Sequence, residues 1–319
     1  MEIIRVRMDR ITADRNSSNR DLTAKNFPQS LLKLLGAFVT LLLAAYSAAC
    51  VFLYIRQAHY IFIPERDIKV TPADFQLNYQ DIYIPVSTET GKTEKIHGWW
   101  IPNANKNAKT LLYLHGNSVS VGANAEHATR LHNLGFSVLL IDYRGFGRSE
   151  GEFPSESQVY EDAQTAWNYL VKEQKARNIF IYGHSLGGAV AVDLAVHHPE
   201  ATGLIVESSF TSLLDLASHY SWTQFFPMPL LLTQRFDSLS KVKYLKVPVL
   251  FIHGTADQTI SFQMSQRLFA AAPAPKQLEL VPNADHGNDA IVAGPRYLEV
   301  VRNFVLSTAT SPAASQRSS

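Results

Sequence analysis

Ser185 stands in the run Gly183-His184-Ser185-Leu186-Gly187-Gly188, between an apolar strand-like stretch (Ile179 to Tyr182) and a small-residue helix-like stretch (Ala189 to Ala195). A simple strand-to-helix turn needs one glycine for a positive φ. Glycines on both sides of the serine imply a backbone crowded against its neighbours. That is the G-x-S-x-G turn, which pushes a hydroxyl out at the carboxyl edge of a sheet. The helix that follows offers Leu186 N–H and a positive dipole end to a developing oxyanion. A serine hydroxyl is almost wholly protonated near neutral pH, so it needs a base, and the base needs an orienting carboxylate.

In the chain order serine, acid, histidine, those partners belong at the ends of later strands. PVLFIHGTADQTI (248–260) puts Asp257 three residues beyond Gly254, and ELVPNADHGND puts His286 in the loop after the last apolar run. Asp285 and Asp289 flank His286, but a sequence neighbour rarely points at the same ring. Glu207, at the end of an earlier strand, stands as the alternative acid. Gly145, Gly147 and Gly151 imitate a dinucleotide fingerprint, yet its third glycine would fall at Glu150, so no nicotinamide cofactor is implied. His197-His198 at a helix end reads as a solvated cap and not as a metal pair.

The elements that must carry these groups alternate. FQLNYQDIYIPV (75–86) and KIHGWWIPN (95–103) read as an opening hairpin around a polar turn at Thr88 to Thr93. Six short, nearly continuous apolar runs follow, at 110–116, 137–145, 178–183, 202–208, 248–254 and 277–282. Such runs fit parallel strands buried on both faces. Helical stretches at 122–134, 155–174 (with Ser155 as N-cap), 186–197, 261–272 and 294–306 lie between or after them. The expectation is one α/β domain over residues 57–306 with a mainly parallel sheet and helices on both faces. A stretch from Ser209 to Tyr244, rich in aromatic residues, is too long for a plain crossover and reads as an inserted helical cap.

The chain has 319 residues, 46% of them hydrophobic, enough for a sizeable core. With 29 Lys+Arg against 28 Asp+Glu the formal charge is +1, which sets nucleic acid aside as a partner. The single cysteine, Cys50, excludes an internal disulfide and a cysteine-based zinc site. Residues 34–55 carry no charge between Lys33 and Arg56, and at 1.5 Å per residue they can cross a hydrocarbon core of about 30 Å. The run exceeds a signal-peptide core and is longer than a soluble core requires, so it reads as an uncleaved transmembrane anchor. A degenerate lipobox, Ser47-Ala48-Ala49-Cys50, keeps a lipoprotein as the alternative, although Val51 to Ile55 stay apolar after the cysteine. Seven Lys/Arg in residues 1–33 against three in 56–75 favour a single pass with a cytoplasmic N-terminus and the catalytic domain on the opposite side. The basic segment 1–33 and the tail 307–319 are polar, and disorder is expected in the first 30 residues and the tail.

LLYLHGNS (111–118), IDYRGFGRSEG (141–151), GHSLGG (183–188), PVLFIHGTADQTI (248–260) and ADHGN (284–288) run in order over residues 75–306. With these motifs the chain resembles the α/β-hydrolases, and within them the BEM46-like branch of membrane-anchored serine hydrolases. The resemblance implies Ser185 as nucleophile, His286 as base and Asp257 as its orienter. It also implies that the loop after His115-Gly116 completes an oxyanion hole beside Leu186 N–H, with Asn117 N–H as the donor and the neighbouring Ser118 as the alternative. His115 and His184 are then structural or pocket-lining, and Asp142 and Arg144 fix the turn after their strand. No metal or organic cofactor is needed. The expected substrate is a small-molecule or lipid-like acyl ester or thioester, with Phe225, Phe226 and Met228 of the cap as candidate acyl-binding residues. Depalmitoylating relatives carry an N-terminal cysteine cluster that is absent here, which leaves the acyl donor open. A peptidase or amide hydrolase on the same fold and a catalytically silent, membrane-tethered binding protein remain the alternatives.

Overall fold

The computed structural model describes residues 28–87, 91–273 and 275–309. The expectations for the segment before residue 28, for the tip of the first hairpin and for the tail from 310 lie outside them, whereas residues 29–30 and 307–309, expected to be disordered, are helical. Contacts divide the chain into one unit ending at Val51 and a second beginning at Phe52. The first holds most of a long helix, α1 (Gln29–Ile61), in which no residue is buried. Its hydropathy and length suffice to cross a membrane. The helix outlasts the uncharged run because nothing breaks it before Pro64.

The second unit begins with the last turns of α1, five residues before the expected boundary at 57. Ala58 and Ile61 pack on its core, and Phe62 is fully buried. Its elements follow as β1 (Gln80–Ser87), β2 (Thr93–Ile101), β3 (Lys109–Leu114), α2 (Ala125–Asn133), β4 (Phe136–Ile141), α3 (Glu156–Lys172), β5 (Ile179–His184), α4 (Leu186–His197) and β6 (Gly203–Glu207). Three short helices, α5 (Leu213–Ala217), α6 (Met228–Leu231) and α7 (Ser238–Val242), occupy the expected cap region. The chain closes with β7 (Val249–Gly254), α8 (Phe262–Ala271), β8 (Lys276–Val281), α9 (Asp289–Ala293) and α10 (Pro295–Ala309). Together they form the α/β-hydrolase architecture, an eight-stranded sheet in the order β1-β2-β4-β3-β5-β6-β7-β8. Only the β1/β2 and β2/β4 pairs are antiparallel.

The two-residue period of each strand splits the core between the two faces of the sheet. Leu112, Leu114, Ile181, Val206 and Phe251 pack with α3, α4 and α8 on one face. Leu111, Tyr113, Phe180, Tyr182 and Ile252 pack with α2 and α10 on the other. Because β3 and β5 to β8 are parallel, the loops after Leu114, His184, Glu207, Gly254 and Val281 all emerge at one edge. Ser155 caps α3 as the sequence suggested: its Oγ accepts from Gln158 N–H at 3.3 Å and its N–H donates to Gln158 Oε1 at 2.9 Å.

Local differences have local causes. β1 begins at Gln80 and not at Phe75, because Phe75 ends a 3-10 turn (Pro72–Phe75) in which Pro72 fits a first helical turn and Thr71 and Asp74 make a capping box. The helix expected over 294–306 is preceded by α9 and separated from it by Gly294 at φ +53°. A chain of residues 52–319 should therefore fold as one cooperative unit. Within it, Phe62→Ala should cost about 3 kcal/mol or more by cavity formation, read as a urea midpoint shift at unchanged slope. An unchanged midpoint would show that the residues after α1 are not part of the core.

Candidate active site

The serine turn is built by close approach. Gly187 lies so near the end of β3 that a Cβ there would sit 2.1 Å from Leu114 O and 2.5 Å from His115 O. At Gly183 it would sit 2.1 Å from Gly187 O. Only glycine fits either position, so α4 can start directly against the neighbouring strand. Ser185, between them, is driven to φ +56°, ψ −122°, a region that a residue with a side chain rarely adopts. Its N–H donates to Glu207 O at 2.9 Å and Ser209 Oγ donates to its carbonyl at 2.8 Å, so both flanking peptides are held.

The structure brings Ser185, His286 and Asp257 together from three loops. His286 Nε2 lies 3.2 Å from Ser185 Oγ, and His286 Nδ1 lies 2.8 Å from Asp257 Oδ2. Asp257 Oδ1 accepts from Thr259 and Ile260 N–H, each at 2.8 Å. Burial opposes its charge, but donors from His253, His286 and Ile260 outweigh that and hold the carboxyl well below the usual carboxylate range. A permanently ionised Asp257 fixes the hydrogen of His286 on Nδ1 and leaves Nε2 to accept from the serine hydroxyl.

His253 is the member of this cluster that the sequence reading passed over. Fully buried on β7, its Nε2 lies 3.1 Å from Asp257 Oδ2 and 2.9 Å from Ile260 O. A carbonyl oxygen only accepts, so Nε2 carries a hydrogen, and Nδ1 faces Ser265 Oγ at 2.6 Å. The available signal was its place four residues before Asp257 in PVLFIHGTAD.

Asn117 lies in the loop after β3, where a Cβ on Gly116 would come 3.3 Å from Ser185 Cβ. Neither Asn117 N–H nor Leu186 N–H is taken by an acceptor among the described residues. Phe225 is 69% exposed at the end of a 3-10 turn, Phe226 packs edge-on against Trp222 at 6.2 Å, and Met228 is half-buried at the start of α6. A cavity of about 500 Å³ is lined instead by Lys92, Glu94, Arg144, Glu152 and Phe153, among others, without any residue of the serine cluster or the cap.

A family model described as serine aminopeptidase, S33, matches residues 105–236, which include Ser185 and Asn117 but end before Asp257. An uncharacterised protein of Mycobacterium tuberculosis is 33% identical over 267 residues, covering 82% of this chain and 92% of its own. Protein bem46 of Schizosaccharomyces pombe is 30% identical over 74% of this chain and 79% of its own. The human alpha/beta hydrolase domain-containing protein 17B is 33% identical over 68% of this chain and 73% of its own. The chain belongs to the α/β-hydrolase family. Among solved structures, the Pyrococcus furiosus esterase Pf2001 shares the fold with a TM-score of 0.64 at 22% identity, over 77% of this chain and 98% of that one.

Within this hydrolase the other acidic and histidine candidates face elsewhere. Asp285 Oδ1 accepts from Gln258 N–H at 3.0 Å and His286 N–H at 2.8 Å, so it shapes the loop. Asp289 is buried and accepts from Ser208 Oγ at 2.7 Å, and burial raises its pKa. Asp142 accepts from Val121 N–H at 2.8 Å and faces His97 at 3.0 Å, while Arg144 binds Asp162 and Glu161, both at 2.7 Å. His198 stacks on Trp167 at 4.4 Å and bonds Gln164, and His197 lies 3.5 Å from Asp193. His184 is half-buried beside His286, with ring centroids 5.1 Å apart, and desolvation pushes its pKa down to about 3.

Glu207, the alternative acid, accepts from the hydroxyls of Tyr182 and Tyr297. Burial, with Asp289 nearby, raises its pKa to about 8. A carboxyl raised this way keeps its proton in the folded state while the unfolded chain loses it near pH 4.5. Its contribution is therefore fully present below about pH 4.5 and is lost as pH rises through about 8. Glu207→Gln retains an oxygen for both hydroxyls and should flatten the fall of thermal stability across that window. An unchanged pH profile would show that Glu207 is ionised in the folded protein.

Proposed function

We propose that this hydrolase is a membrane-anchored serine hydrolase that cleaves acyl esters or thioesters through an acyl-enzyme on Ser185. The observation that carries the reading is the continuous relay from Ser185 Oγ across 3.2 Å to His286 and across 2.8 Å to Asp257. Ser185 Oγ attacks the acyl carbonyl carbon while its proton passes to His286 Nε2. Asn117 and Leu186 N–H hold the oxygen that becomes negative. The tetrahedral species collapses, His286 gives the proton to the departing alcohol or thiol, and the acyl group stays on Ser185. Water then repeats the sequence and frees the acid. Asp257 stays ionised throughout and stabilises the imidazolium.

The ester preference draws support from the fold neighbour Pf2001, an esterase. The family model favours the second reading, an amide hydrolase or peptidase on the same machinery. A silent binding protein would have little use for a relay kept at hydrogen-bond distance. In this reading α1 spans a bilayer once, the N-terminus is cytoplasmic and the catalytic domain lies across the membrane, following the seven-to-three Lys/Arg bias. Cleavage before Cys50, seen by mass spectrometry, would replace the anchor with a lipoprotein. Phe225, Phe226 and Met228 supply the apolar cap surface for an acyl chain.

A fluorophosphonate probe should label the wild type and leave Ser185→Ala unlabelled. Labelling that survives the substitution removes Ser185 as nucleophile. His286→Ala and Asp257→Asn should each lower kcat by about 10³-fold or more, and Asp285→Asn far less. A worse defect in Asp285→Asn would move the acid to that position.

The acyl donor is decided by a p-nitrophenyl ester series from two to sixteen carbons. Each methylene buried in a cap pocket should add up to about 0.8 kcal/mol, roughly fourfold in kcat/KM, until the pocket is full. A steep loss beyond four carbons together with turnover of aminoacyl amides would instead establish the peptidase.

A further inference from the structure

Residues 57–70, which carry the chain from the last turn of α1 to the 3-10 turn at Pro72, lie as a strap across the loop that holds Asn117. Asn117 is bound on two sides. Its Nδ2 donates to Ile61 O at 2.6 Å, and its carbonyl accepts from Ile63 N–H at 3.0 Å. Between those bonds Phe62 is fully buried, edge-on to Phe236 at 6.1 Å. Further along, Glu65 Oε2 accepts from Ser120 N–H and Asp67 O accepts from Ser120 Oγ, each at 3.3 Å. The strap is itself pinned to the loop after β4: Gly147 N–H donates to Glu65 O at 2.8 Å, and Arg66 donates to Ser149 O at 2.9 Å and Gly151 O at 2.7 Å.

These bonds bear on one peptide unit. Gly116 O and Asn117 N–H belong to the same planar group, so fixing the oxygen fixes the direction of the hydrogen. His115 Nδ1 lies 2.6 Å from Gly116 O and, facing a carbonyl, must be the donor. The strap holds the residue on the other side. A surface loop left to itself fluctuates, whereas an oxyanion donor works only when it is aimed before the charge develops. We propose that residues 61–65 are positioning residues for the oxyanion hole: through Asn117 and Ser120 they aim the Asn117 N–H at the developing oxyanion, so that the connection from the apolar helix is part of the catalytic scaffold. This rests on the serine-hydrolase reading above.

Gln57 extends the same strap to the cap. Its Oε1 accepts from Thr233 N–H at 2.8 Å and Gln234 N–H at 3.2 Å. The oxyanion loop and the cap are thus referenced to one segment.

The test uses full-length protein in detergent, with active sites counted by fluorophosphonate. Asn117→Ala keeps the N–H and removes the side-chain tether, and Glu65→Ala removes the acceptor for Ser120. Glu65→Gln restores an acceptor. Loosening a donor should cost less than deleting one, so Asn117→Ala should lower kcat about tenfold and weaken a trifluoromethyl ketone inhibitor by the same factor, with KM within about twofold. Glu65→Ala should lower kcat in the same sense, and Glu65→Gln should recover it. A merely structural strap would lower the melting temperature and leave kcat and inhibitor affinity per labelled site unchanged, which overturns the proposal. Should Asn117→Ala fail to fold, the Glu65 pair decides it alone. The two readings fail separately: a wild type without Ser185-dependent labelling sinks the hydrolase reading, and the strap proposal with it. Full labelling with unchanged kcat and inhibitor affinity sinks the strap proposal only.

Discussion

The whole site depends on how closely the first turn of α4 approaches the end of β3. With Gly187 beneath the carbonyls of Leu114 and His115, the helix starts without a connecting loop, and Ser185 must turn at positive φ. That backbone is unfavourable by roughly 1–3 kcal/mol for a residue with a Cβ and survives only where its surroundings over-determine it. Here the surroundings are the buried strands on either side and the bonds to Glu207 O and Ser209 Oγ. The strain yields a hydroxyl that faces His286, a Leu186 N–H without an acceptor among the described residues, and a neighbouring loop close beside them. None of these would exist if an ordinary loop joined strand to helix.

The electrostatic arrangement beneath the serine is layered. Asp257 is held ionised by donors from His253, His286, Thr259 and Ile260. Deeper in, burial raises the pKa values of Glu207 and Asp289, which favours their neutral forms. The carboxylate that His286 meets at hydrogen-bond distance is that of Asp257. The tyrosine hydroxyls on Glu207 satisfy its buried oxygen without ionising it.

Much of this was legible in the sequence, and the reason lies in which interactions are local. Each apolar run became a strand because continuous burial on both faces is written in consecutive residues, and the alternation with helices gave the parallel sheet. The short motif around Ser185 carried its own geometry, since glycines that admit backbone contact must be glycines. His253 was missed because its role depends on Ser265, Ile260 and Asp257 converging in space, and a buried histidine in a strand looks like any core residue. Phe75, which closes the 3-10 turn begun by Pro72, reads as the start of a strand because Leu77 and Tyr79 continue an alternating pattern backwards, while the capping pair that decides the matter, Thr71 and Asp74, lies before it.

The boundary at the start of the domain was the least legible part, for a physical reason. Hydropathy marks where charge begins, at Arg56, and so places the domain just after it. Packing ignores that mark: the helix continues to Ile61, and its last turns already belong to the core through Ala58, Ile61 and then Phe62. Here the first residues after the helix bind Asn117 and Ser120, and Gln57 binds the cap. Within the second unit, residues 57–65 are therefore bonded directly to the loop bearing Asn117 N–H and to residues 233–234. The loop bearing Asn117 and the segment at Thr233 and Gln234 are thus referenced to the same few residues, which hydropathy alone assigns to a linker.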